Sequence, residues 1–151
     1  MRVKMILPAL TEAKSPFWRP IKYSLFPPLG LATLAGYLDP SDEITIQDEH
    51  VEVLDLNDAP DIVVIQVYIT SAYRAYQIAD HYRSKGAHVC LGGLHVTSLP
   101  EEAAGHADTL FIGPGEDTWP AFLADYRRAY LSEVTGQPRE RLTNCRPSGV
   151  I

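Results

Sequence analysis

Asp61-Ile62-Val63-Val64-Ile65-Gln66-Val67, a helical run over residues 71–85 closed by Gly86, and then His88-Val89-Cys90-Leu91-Gly92-Gly93 form the stretch that decides the fold. Both ends are short and almost wholly apolar, the pattern of strands covered on both faces. Between them Ala72, Ala75, Tyr76, Ala79 and Tyr82 recur at helical spacing, and Gly86 suits a helix C-terminus. A strand, a helix and a second strand in this order make a right-handed crossover between parallel strands.

The same alternation continues outward. Val3-Lys4-Met5-Ile6-Leu7 is a strand-like run ended by Pro8, Ile44-Thr45-Ile46 is β-branched, and Thr109-Leu110-Phe111-Ile112 runs into Gly113-Pro114-Gly115. Residues 29–38 place Leu31, Leu34, Ala35 and Leu38 on one stripe. Residues 100–104 open with proline and two acids, as a helix start does, and residues 116–130 gather Trp119, Phe122, Leu123 and Tyr126. The link over residues 49–59 has room for one helical turn at most. The expectation is an α/β, Rossmann-like (flavodoxin-like), doubly wound five-stranded parallel sheet of order 2-1-3-4-5. Residues 1–131 form the domain. Residues 132–151 lose apolar periodicity and read as a linker or disordered tail.

Composition narrows the function. The 151 residues are 46% hydrophobic and 21% charged, which is globular composition, and the net charge of −6 disfavours nucleic acid or an anionic membrane as partner. Cys90 and Cys145 are too few and too far apart for a disulfide framework or a zinc site. No apolar run approaches a membrane span, and Pro8 interrupts the N-terminal run too early for a secretory signal, so a cytoplasmic setting is expected.

Ligands of such sheets sit at the carboxyl ends of the strands. The first loop there, residues 8–28, is about twenty residues long and rich in proline and aromatics, which suits a cover over a large, partly apolar ligand. The fourth, Gly92-Gly93-Leu94-His95-Val96-Thr97, lets a flat group approach the backbone, or else makes a tight turn into a helix. The fifth, Gly113-Pro114-Gly115-Glu116, puts small residues beside the same crevice. The first loop, Pro8-Ala9-Leu10-Thr11-Glu12-Ala13, lacks the glycine pattern of a dinucleotide site. There is no phosphate-cradling Gly-Lys-Ser/Thr, no acidic set of a phosphoryl-accepting receiver, and no Ser/Thr-Gly loop for a flavin phosphate. No Ser-His-Asp or Cys-His arrangement supports an independent small enzyme.

The segments Pro27-Pro28-Leu29-Gly30-Leu31-Ala32-Thr33-Leu34-Ala35-Gly36-Tyr37-Leu38, Arg74-Ala75-Tyr76-Gln77-Ile78-Ala79, Gly92 to Thr97 with Pro100-Glu101-Glu102, Ala107-Asp108, and Gly113-Pro114-Gly115-Glu116 with Trp119, in this order, resemble the N-terminal cobalamin-binding domain of cobalamin-dependent radical SAM enzymes. The resemblance covers about residues 3–130. It implies a cobalamin whose nucleotide tail descends beside strands three to five. Contacts would come from Gln66, Tyr68, Thr70, Ser71, Gly92, Gly93, Leu94, His95, Thr97, Gly113, Pro114, Gly115 and Glu116. Gly92 and Gly93 would leave the slot for the flat tail, Thr70 and Ser71 would donate at a helix N-terminus, and His95 would touch the cofactor or orient its helix. No catalytic residue and no protein ligand to cobalt are implied. The family's iron–sulfur cluster and S-adenosylmethionine would lie in a downstream barrel, in the same polypeptide or in trans, because the three-cysteine cluster motif is absent here. Methyl transfer or ring closure on tetrapyrroles is the implied chemistry. The alternative is a free-standing or degenerate domain that binds a partner protein without catalysis. Gln66 stands where related domains often carry serine, and Pro114 removes a backbone donor. Asp48-Glu49-His50 imitates the Asp-x-His of methyltransferase cobalamin domains, but it follows the second strand and Val53 replaces the required glycine, so His50 reads as a loop histidine. His81, His88 and His106 read as structural.

Overall fold

The computed structural model describes residues 1–9 and 28–134. Five strands, β1 (Arg2–Leu7), β2 (Glu43–Asp48), β3 (Ile62–Gln66), β4 (His88–Gly92) and β5 (Thr109–Phe111), form one parallel sheet of order β2-β1-β3-β4-β5. The helices are α1 (Leu29–Ala35), α2 (Ala72–Ser84), α3 (Leu94–Ser98), α4 (Pro100–Ala103) and α5 (Gly115–Val134), with a 3₁₀ turn at Ile69–Ser71 before α2. The α/β doubly wound sheet is as the sequence pattern predicts.

Strand alternation divides the core in two. Ile6, Val63, Ile65, Val89 and Leu91 meet α2, with Val96 and Ala103 from α3 and α4. Val3, Met5, Leu7, Ile62, Val64, Cys90 and Phe111 meet the face that holds Leu31, Leu38, Trp119 and Leu123. Trp119 is fully buried, its indole N–H donates to Leu34 O at 2.9 Å, and the ring stacks against Phe122. Cys90 is also fully buried, a core residue as expected, and burial pushes its thiol well up.

One buried position breaks the apolar pattern. Lys4, 2% exposed in the middle of β1, donates to Asp58 Oδ2 at 2.7 Å and to the Asp55 carbonyl. Tyr82 Oη donates to Asp58 Oδ1 at 2.6 Å, and the Lys4 ammonium lies 5.5 Å from the Tyr82 ring centre. Two N–H and O–H donors on one carboxylate hold Asp58 below its usual carboxylate range against the opposing effect of burial.

Boundaries differ in four places. The 49–61 link has no helix, because Asp48 and Asp55 carboxylates accept the amides of His50 and Asn57 at 2.9 Å and fold it into turns. The first helix ends at Ala35, where Tyr37 and Leu38 bond three residues back and tighten the chain. Strand five stops at Phe111, before Gly113 at φ 83°. The last helix continues to Val134, three residues into the segment read as a tail.

Candidate functional site

The order β2-β1-β3-β4-β5 places the topological switch between β1 and β3, and the loops after β3, β4 and β5 adjoin along the carboxyl edge. These loops are joined through their main chains. Val67 N donates to Gly92 O at 2.7 Å, and His95 N donates to Val67 O at 3.3 Å. The fifth loop is tied in by Thr97, whose hydroxyl donates to Gly93 O at 3.0 Å and accepts Gly113 N–H at 3.0 Å.

This wiring explains both glycines of the fourth loop. A Cβ on Gly93 would stand 2.7 Å from Val67 O, and its φ of 114° is one that side chains rarely adopt. A Cβ on Gly92 would meet Phe111 Cβ at 3.3 Å. The direction each missing side chain would take is therefore filled by Val67 and Phe111, while both glycines keep part of their surface exposed. Gly113 differs: at φ 83° it has no neighbour within 4 Å of its would-be Cβ.

The other expected residues separate into two groups. His95 is buried, faces Tyr76 at 6.1 Å between ring centres, and sets Nε2 3.2 Å from Glu102 Oε1. Its side chain joins α3, α2 and α4, the orienting role. Burial and the Glu102 carboxylate push the Tyr76 phenol up to about 12. Ser71 is 3% exposed and turned to the Tyr68 carbonyl, which leaves Thr70 as the exposed hydroxyl. Gly115 packs toward Leu34, whereas Pro114 and Glu116 are exposed.

What projects outward is apolar. Tyr68 is 39% exposed and Leu94 71%. Ile69 at 77% and Ile112 at 55% join them at the same edge. The sequence reading did not single out these two isoleucines. The sequence pattern places Ile112 in the fifth strand, which ends one residue earlier, at Phe111. Gln66, at the tip of β3, donates from Nε2 to Tyr68 Oη at 2.8 Å, while its buried Oε1 has no partner among the described residues. Turning the carboxamide over leaves its other end unpaired.

The opposite end of the edge is ionic. Arg74 grips Glu49 through Nη2 at 2.6 Å and Nε at 3.0 Å, and Glu49 Oε2 accepts Ala9 N–H at 3.0 Å. Asp48 Oδ1 binds His50 Nδ1 at 2.8 Å, so His50 lies in a turn, held by its own loop. His81 meets Leu56 O at 2.9 Å, His88 meets Thr109 Oγ1 at 2.9 Å, and His106 pairs with Asp80 at 2.9 Å while stacking on Tyr76. Among the described residues no group of three His, Cys, Asp or Glu could hold a metal ion, and no described helix is long and apolar enough to cross a membrane. The cover expected from the first loop (residues 10–27) and Cys145 lie outside the described residues.

Comparison with known proteins gives this edge a context. A family model described as B12 binding domain matches residues 23–123. Bacteriochlorophyllide d C-8(2)-methyltransferase of Chlorobaculum tepidum is 37% identical over 106 residues, covering 70% of this chain and 24% of that protein. Bacteriochlorophyllide d C-12(1)-methyltransferase of the same organism is 29% identical over 109 residues, 71% of this chain and 24% of the relative. An uncharacterized methyltransferase of Synechocystis is 34% identical over 114 residues, 73% of this chain and 21% of that one. The chain thus spans about a quarter of the length of the curated relatives it matches. No solved structure matches.

Proposed function

The chain belongs to the B12-binding domain family, and from that premise we propose that it is the cobalamin-holding module of a methyltransferase of the radical SAM type. The observation that carries the reading is the apolar ledge of Tyr68, Ile69, Leu94 and Ile112 at the carboxyl edge of β3, β4 and β5, beside the unpaired end of Gln66.

These residues fit cobalamin's chemistry. The corrin and the base of its tail are flat and apolar, and its rim carries amides that need partners. Burial of flat apolar surface on Leu94, Ile69 and Ile112 supplies most of the attraction. The open backbone at Gly113 admits a close approach. The bonds among Val67, Gly92, His95, Thr97 and Gly113 hold the ledge rigid before binding, so little ordering remains to oppose it. In this reading the tail lies along the half-exposed backbone of Gly92 and Gly93 and against Gly113. Thr70, Pro114 and Glu116 border it.

When bound, cobalamin supplies a cobalt centre able to carry a methyl group. The relatives' names support methyl transfer to a tetrapyrrole carbon as the reaction of the whole enzyme. The iron–sulfur cluster and S-adenosylmethionine belong to a separate barrel. In this reading residues 1–131 are the cofactor domain, residues 132–151 a linker or tail, the protein works in the cytoplasm, and cobalt takes no ligand from this chain.

The test is to incubate the purified chain with hydroxocobalamin, desalt it and record the visible spectrum. Retained corrin absorbance near one equivalent is the expected result. Leu94→Glu should weaken retention roughly tenfold, by placing a charge against an apolar ligand surface, with little effect on melting because Leu94 is exposed. A folded chain that retains no corrin refutes the reading.

A further inference from the structure

We infer that the Thr97 hydroxyl is a clasp that fixes the spacing of the fourth and fifth loops, and so positions the ledge. The inference rests on the cobalamin reading for its purpose, but its geometry stands apart from it.

The β4–β5 ladder ends at the Gly92–Phe111 pair, because β5 has only three residues. Beyond that pair the strands no longer hold the two loops together. Gly113 lies two residues past the last rung, with an open side and φ of 83°. Its N–H is caught by Thr97 Oγ1 at 3.0 Å, a bond between residues 16 apart in the chain. The same hydroxyl donates to Gly93 O at 3.0 Å. One hydroxyl has one proton to give and lone pairs to receive, so both bonds form together. The bond to Gly93 O lies within one helical turn and is ordinary for threonine. The bond to Gly113 is not local, and it ties α3 to the residue that follows Ile112.

Serine can make both bonds and valine neither, at nearly constant shape for valine. The experiment compares the full chain with Thr97→Val and Thr97→Ser. Backbone amide exchange at Gly113 is followed by NMR without cofactor, hydroxocobalamin affinity by equilibrium dialysis, and melting by circular dichroism. In Thr97→Val, Gly113 exchange should accelerate roughly five- to tenfold, as loss of one net hydrogen bond allows. Affinity should fall several-fold and melting shift by no more than about 2 °C. Thr97→Ser should restore both exchange and affinity.

Unchanged Gly113 exchange in Thr97→Val overturns the clasp. Accelerated exchange with unchanged affinity overturns its positioning role, as does affinity lost only in proportion to melting with no recovery in Thr97→Ser. A wild-type chain that binds no hydroxocobalamin refutes the cobalamin reading instead, and Gly113 exchange still judges the clasp by itself.

Discussion

On the β1–β2 side the structure is held by charge: Lys4 with Asp58, Arg74 with Glu49, and both the N-terminal amine and Arg127 with Asp42. On the β3–β5 side Arg83 pairs with Asp108 at a half-exposed site, and the carboxyl edge is held by hydrogen bonds and packed rings. Val67 and Gly92 are joined through backbone atoms, Gly93 and Gly113 through the Thr97 hydroxyl, and Phe111, Trp119 and Phe122 pack edge-on and face-on behind them. The difference teaches where tolerance lies. Ionic contacts depend on side-chain identity and on pH. A backbone frame depends on conformation, and leaves the side chains above it free to serve a ligand.

The sharpest way to break that contrast is at Gly93. Gly93→Ala forces a Cβ to within 2.7 Å of Val67 O at a φ of 114°, and should cost ~3–5 kcal/mol. Gly86 has a similar positive φ of 85° with nothing within 4 Å, so Gly86→Ala should cost only about 1 kcal/mol. Denaturant melts of the two variants make the comparison; equal losses would show that backbone crowding at Val67 contributes nothing.

The ionic side is tested at Lys4. Lys4→Met leaves Asp58 without its buried ammonium, and should cost about 2–3 kcal/mol, moderated because Asp58 is itself a third exposed. The pH dependence follows from the lowered Asp58 pKa. In the unfolded chain Asp58 titrates near 3.8, so its contribution is complete above that pH and is lost as pH falls further, toward its folded value. Stability measured against pH should therefore show an acid limb below pH 4 that flattens in Lys4→Met. An unchanged limb would assign it to other carboxylates.

The smallest expected effect lies at the seam between the halves and the aromatic group. Burial lowers the His88 pKa below 6.5, despite the opposing pull of Asp108. The neutral ring is the one the fold accepts, so its contribution is complete above pH 6.5 and declines as pH drops through that value. Urea midpoints should fall slightly from pH 7 to pH 5.5 in the wild type. His88→Phe, which keeps a ring against Phe122 and Tyr126, should lose that slope.

The strands and their order were legible because Ile62 to Ile65 and His88 to Leu91 leave no polar face for solvent, and α2 announces itself by its period. The Gly-Gly-Leu-His-Val-Thr segment marked the end of β4 and a turn beyond it, and concealed its internal contacts. Glycine can signal either an open approach for a ligand or a close approach of the chain to itself, and only the 2.7 Å distance to Val67 O separates the two at Gly93. Helix α3 was hidden because β-branched Val96 and Thr97 within a five-residue span cannot display a helical period. The burial of Lys4 was hidden because its partners, Asp55, Asp58 and Tyr82, lie more than 50 positions onward.

A ledge whose shape is set by carbonyls and amides can be redecorated. Leu94, Ile69 and Ile112 are exposed on it, so under the proposed function exchanging them should alter which corrinoid is preferred while the domain folds as before. That separation of cargo from chassis makes this edge a suitable starting point for engineering carriers of modified cobalamins.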